Sequence, residues 1–124
     1  MPFVSSAESP EFRLPGVVFS GLAAPSRGAT ENAVWRVTIL PGSDGTEHQL
    51  TREETIVATA GRAIAMLGGV AYEMVPGSAI IIPPDVNFAL SNPHTEPFEA
   101  VCVIPIGGQA RMPEQAPFTP PWAT

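Results

Sequence analysis

Hydrophobic and polar positions alternate along this chain in short runs, each cut off by proline or glycine, and no apolar repeat of helical period survives beyond a turn or two. The clearest run is Ala33 to Leu40, AVWRVTIL. Its alternation puts Trp35, Val37 and Ile39 on one face of a strand and Val34, Arg36, Thr38 and Leu40 on the other. Before it, Val17 to Ser20 reads as a short first strand, and Gly21 to Asn32 as a loop in which Arg27 is a surface charge. After the Pro41-Gly42 turn, the polar segment Ser43 to Glu47 leads into a strand that starts at His48, so that His48 and Leu50, two apart, share a face. The run ETIVATA begins at Glu54 and is ended by Gly61. Arg62 to Leu67 and Val70 to Val75 flank Gly68-Gly69, a hairpin signal because the favoured two-residue turns need positive φ. Ala79 to Ile82 is an apolar strand that stops at Pro83-Pro84, Asn87 to Ser91 resumes, and Phe98 to Ile106 is so nearly continuous in apolar residues that burial on both faces is expected.

Eight or so short strands with no helix long enough for a crossover predict an all-β, antiparallel double-sheet jelly-roll barrel. At 124 residues the chain is one domain. Its barrel core spans about 33–106, preceded by an N-terminal strand segment, 1–32, and followed by a proline-rich tail, 107–124. The tail cannot form regular structure. Its Phe118 and Trp122 are large apolar groups, expected to pack on the barrel or on a neighbouring subunit.

Charge narrows the function. Twelve carboxylates against six arginines leave a net charge of −6, which argues against a nucleic-acid or anionic-membrane surface. The chain has no lysine, so Schiff-base chemistry on a side chain is excluded. The single cysteine, Cys102, lies in an apolar run without a flanking His or Arg and reads as a small buried hydrophobe. No basic start followed by an apolar stretch marks a signal peptide, and no run approaches membrane-spanning length, so a cytoplasmic protein is expected.

Two stretches carry the candidate chemistry. In GSDGTEHQLTREETIVATAG, Gly42 is followed after five residues by His48, then by Leu50, Glu54 and Gly61; in GSAIIIPPDVNFALSN, Gly77 is followed after five residues by Pro83, then by Asp85, Phe88 and Asn92. These spacings resemble the two signature motifs of the cupin superfamily, whose small jelly-roll barrels commonly bind one divalent metal through His, His, Glu and His. The resemblance implies that His48, Leu50, Glu54 and Phe88 stand at those four positions and converge inside the barrel. Leucine and phenylalanine have no lone pair to donate, and stripping a dication of water against hydrocarbon is strongly unfavourable. No metal cofactor is therefore expected; if an ion bound, His48 and Glu54 would be its ligands. Gln49 and Glu53 should point to the opposite face, and His94 lies beyond the turn at Pro93, so all three read as surface residues.

The remaining pocket is expected to be apolar, lined by Leu50, Phe88, Trp35, Ile56 and Met66, and to suit a small, flat organic ligand. His48 with Glu54 forms a candidate acid–base pair for a metal-independent isomerase, cyclase or lyase, because imidazole ordinarily titrates near neutrality. The alternatives are a cupin that binds a small ligand without converting it, and a metal-dependent dioxygenase with a reduced ligand set. Cupins are commonly dimers, so a homodimer is expected, with the apolar N-terminal segment either exchanged across the interface or covering its own barrel.

Overall fold

The computed structural model describes residues 3–124. In chain order, strands β1 (Glu11–Leu14), β2 (Val17–Ala23) and β3 (Asn32–Ile39) precede the loop that leads to β4 (Gln49–Leu50) and β5 (Glu54–Ala60). The hairpin β6 (Ala63–Leu67) and β7 (Val70–Met74) follows, then β8 (Ala79–Ile82), β9 (Phe88–Ser91), β10 (Phe98–Pro105) and β11 (Ala110–Arg111). A single 3₁₀ turn, Pro121–Ala123, closes the chain.

One sheet has the order β1-β2-β3-β10-β5-β8, a second β7-β6-β9, and β11 pairs with β4; every pairing is antiparallel. An isolated bridge, His48 with Phe88, ties the start of the β4 segment to β9, with both amides of the pair bonded at 2.8–2.9 Å. This is the antiparallel jelly roll that the strand spacing predicts.

Period-two alternation explains which side chains enter the barrel. In β3 Ala33, Trp35, Val37 and Ile39 are buried, in β10 Phe98, Ala100, Cys102 and Ile104, and in β5 Glu54, Ile56 and Ala58. The outward residues of β10 are half-exposed, so this strand is covered on one face and not on both, as its continuous hydrophobicity had implied. The outer face of the large sheet has no layer packed over it, and there Val57 and Ile81 are exposed. The N-terminal segment forms more than the single short strand expected from sequence: β1 and β2 make a hairpin across Pro15-Gly16, and β2 pairs with β3 of its own chain.

The tail folds back over the mouth of the barrel. The Trp122 ring lies parallel to Phe19 at 3.6 Å between centroids, and Phe12 meets it at an angle from 6.2 Å. Phe118 pairs with Ala110 through two backbone hydrogen bonds, which fix the strap to β11.

Candidate functional site

The barrel holds a cavity of about 730 Å³, to whose lining the tail contributes. The register of three strands builds its wall: Trp35, Cys102 and Ile56 are direct neighbours across β3, β10 and β5, so their side chains form one row. One step along β5 on the same face comes Glu54, paired with Ile82. Leu50 and Phe88 enter from the opposite side, both almost fully buried. The strap adds Met112, Phe118, Pro120 and Trp122, and the loop before His48 adds Asp44 and Thr46.

That loop is held close to β9 by Gly45, which has φ of +75°; a Cβ there would run into the carbonyl oxygen of Leu90. Its end presents His48. Nδ1 of His48 lies 2.8 Å from the carbonyl oxygen of Thr46. A carbonyl only accepts, so in the neutral ring Nδ1 carries the proton and Nε2 keeps its lone pair. The His48 ring also stands edge-on to Phe88, 5.7 Å between centroids.

Among the described residues Glu54 is the one charged-type side chain that is buried, 7% exposed. It lines the cavity and has no hydrogen-bond partner among the described residues. Burial without a compensating charge raises its pKa from an ordinary 4.5 to about 8, so at neutral pH the carboxyl keeps its proton. Burial, with a smaller contribution from the Glu54 charge, also pushes the Cys102 thiol well up. Cys102 is thus an inert wall residue and no nucleophile.

Of the residues nominated from sequence, His48, Leu50, Glu54, Phe88, Trp35 and Ile56 line the cavity. Met66 does not. In β6 the inward residues are Ala63 and Ala65, both fully buried, and Met66 lies out of phase with them on the outer surface, where it is 36% exposed. No hydrogen bond joins His48 to Glu54. Gln49 and His94 belong to surface networks: Gln49 bonds Asn87 at 2.8 Å, and Nδ1 of His94 faces Arg62 at 3.5 Å. Sequence reasoning expected Phe118 and Trp122 of the tail to pack on the barrel or on a neighbour, but missed their place in the cavity lining, the aromatic contribution of Phe19 and the placement of Cys102 in the wall. Only the last had a usable signal, because Cys102 follows the same alternation that exposes Trp35 to the cavity.

The donor set does not fit a tightly held divalent ion. The four positions at which the cupin resemblance places ligands hold one imidazole, one protonated carboxyl and two hydrocarbon side chains, each of the latter 3% exposed. Among the described residues no three His, Cys, Asp or Glu side chains are grouped around a common point. Among the same residues, no helix is long and apolar enough to cross a membrane.

Residues 35–104 match the family described as cupin domain. Among solved structures, the chain is similar to the polyketide cyclase RemF from Streptomyces resistomycificus, with 21% identity, a TM-score of 0.78, and coverage of 94% of this chain and 87% of that one. It is also similar to an RmlC-like cupin from Shewanella frigidimarina, with 14% identity, a TM-score of 0.74, and coverage of 85% and 90%. KdgF from Halomonas sp. gives 20% identity, a TM-score of 0.71, and coverage of 85% and 94%. These likenesses establish a shared fold. No curated protein matches the chain.

Proposed function

The chain belongs to the cupin family, and from that premise we propose that it is a metal-independent acid–base enzyme, an isomerase, cyclase or lyase acting on a small apolar substrate. The observation that carries the reading is a buried carboxyl that keeps its proton, in one cavity with an imidazole whose Nδ1 is bonded to a backbone carbonyl. Glu54 holds a proton at neutral pH and has no protein partner to give it to, while Nε2 of His48 is a free acceptor. A carboxyl held protonated beside an imidazole that can accept is a pairing that proton-transfer chemistry at neutral pH uses.

In the proposed cycle, Nε2 of His48 removes a proton from the substrate as the Glu54 carboxyl protonates an oxygen that gains electron density. The carbonyl of Thr46, already bonded to Nδ1–H, stabilises the imidazolium that forms. Return of the His48 proton at another atom, and recapture of a proton by the Glu54 carboxylate, completes an isomerisation. Loss of a leaving group from the same intermediate makes the reaction an elimination. The fold is compatible with such use, since a polyketide cyclase shares it.

His48→Gln tests the reading: turnover should fall by a factor on the order of 10² to 10⁴ while ligand affinity changes far less. Turnover at the wild-type rate would remove His48 from the mechanism. The second reading, a cupin that binds its ligand unchanged, is favoured by the mostly hydrocarbon lining; under it no turnover occurs and the substitution shifts affinity alone.

The working form is proposed to be a homodimer. On the outer face of the large sheet, Val57, Ile81, Val101 and Val103 lie on three adjacent strands, β8, β5 and β10, and a second copy would cover them. A cytoplasmic setting accords with a lone buried thiol, which needs no oxidising compartment.

A further inference from the structure

We infer that the cavity selects an uncharged, planar aromatic ketone or phenol and rejects organic anions, a substrate class that rests on the acid–base reading of the same site. The first support is an inventory of charge. Apart from the Cys102 thiol, the ionisable groups lining the cavity are Asp44, His48 and Glu54, and no cationic side chain joins them. The chain has no lysine to send, and none of its six arginines lines the cavity. Arg111 is the telling case. It is flanked in sequence by two lining residues, Ala110 and Met112, yet its guanidinium points out to Asp85 at 2.7 Å and Gln49 at 3.3 Å. Strand alternation at β11 therefore keeps this positive charge outside the barrel. A carboxylate or phosphate entering the cavity would be buried without an arginine or lysine as counter-charge and would pass the Asp44 side chain at the rim.

A cation is disfavoured by what Glu54 lacks. A buried ion pair is sustained when further hydrogen bonds satisfy both partners, and the Glu54 carboxyl has no donor beside it. What it can offer is an O–H to a neutral acceptor, such as a carbonyl or phenolic oxygen. Shape supplies the rest of the specification. The stacked Phe19 and Trp122 rings, with Trp35 and Phe88, contribute four aromatic side chains to the lining. Flat aromatic ligands match such walls through stacked and edge-on contacts. The volume, about 730 Å³, has room for two or three fused rings.

Three ligands with one ring system and one point of attachment decide the matter: 1-acetonaphthone, 1-naphthoate and 1-naphthylmethylammonium, titrated at pH 7. Both tryptophans of the chain, Trp35 and Trp122, line the cavity, so intrinsic fluorescence reports occupancy directly, with calorimetry as a check. The ketone should bind, with the naphthoate weaker by about 100-fold and the ammonium by about tenfold or more. Glu54→Gln, which keeps an N–H donor, should hold the ketone within a few-fold, whereas Glu54→Leu, which removes the donor, should weaken it about tenfold. Naphthoate or ammonium binding as tightly as the ketone overturns the inference, and so does the absence of binding by all three at millimolar concentration. Because these titrations need no turnover, a ketone preference in a protein that converts nothing would sink the catalytic reading and leave this one intact. Anion binding by a protein whose activity depends on His48 would do the reverse.

Discussion

Replacing Glu54 by Gln should stabilise the protein in a pH-dependent way, because the fold holds this carboxyl in its neutral form against its tendency to ionise. The side chain is 7% exposed, and its pKa rises from an ordinary 4.5 in the unfolded chain to about 8 in the fold, through burial. The native state thus binds more protons than the unfolded state between these values, and stability must fall as pH rises through the window. Below pH 4.5 both states hold the proton and the group has no effect; above about 8 the full loss is reached. At pH 7, about 2.5 units above the unfolded value, the cost is about 3 kcal/mol. Gln has the same shape and cannot ionise, so Glu54→Gln should gain about 3 kcal/mol at pH 7, roughly 10 °C in Tm, and almost nothing at pH 4. Cys102 titrates above this window, so it should not distort the profile. Urea unfolding of both proteins at unit steps from pH 4 to pH 8 measures the difference. Parallel stability curves, separated by a constant amount at every pH, would show that Glu54 ionises in the fold as it does in the unfolded chain, and the assignment of Glu54 as the acid would fall with it.

Leu50→His with Phe88→His should create a divalent-metal site in which both imidazoles join His48 and Glu54; elemental analysis after dialysis should rise from well under one equivalent to about one, and no gain would mean that the pocket has drifted from the metal-binding geometry. Trp122→Ala should cost about 2 kcal/mol in urea unfolding by removing the stack on Phe19, and a loss below a few tenths would mean that the strap does not close the barrel. Ile81→Glu, on the exposed outer face, should convert a two-chain mass in sedimentation to a one-chain mass; a wild-type monomer would refute the proposed dimer.

The fold was legible because its information is local. Alternation in Ala33 to Leu40 assigns Trp35, Val37 and Ile39 to the interior, and the structure buries all three. Leu50 and Glu54 were legible through motif spacing, which fixes strand register around the turns. Met66 was misplaced because the interior of β6 is lined by alanines: Ala63 and Ala65 carry almost no hydrophobic signal, while the bulkier Ile64 and Met66 on the other face carry most of it. Hydrophobic size and burial run in opposite phase there, and side-chain volume alone points the wrong way. For β10 the unbroken apolar run failed to distinguish a strand covered twice from one whose outer face is open, since Val101 and Val103 look alike in both. The packing of Phe118 and Trp122 was expected, but their partners were illegible for another reason. Trp122 meets Phe19 across more than a hundred residues of chain, and an irregular proline-rich segment has no period from which to read a partner.

The relation between His48 and Glu54 shows how the hydrocarbon at positions 50 and 88 changes more than metal affinity. In a metal-binding cupin a glutamate at this place would be a ligand, and the adjacent dication would hold it as a carboxylate. With Leu50 and Phe88 in the place of imidazoles, no positive charge remains to favour ionisation, and the same burial now drives the carboxyl to keep its proton. His48 undergoes the complementary change. An Nε2 lone pair that would otherwise be given to an ion is left free, because Thr46 fixes the proton on Nδ1 two residues back along the chain. On the proposed reading, hydrocarbon at these two positions leaves Glu54 as the acid and His48 as the base. It follows that the double histidine variant should lose acid–base turnover as it gains metal, since the ion would claim the Glu54 carboxylate and the His48 lone pair together; turnover that survives stoichiometric metal loading would show that the two roles are served by different groups.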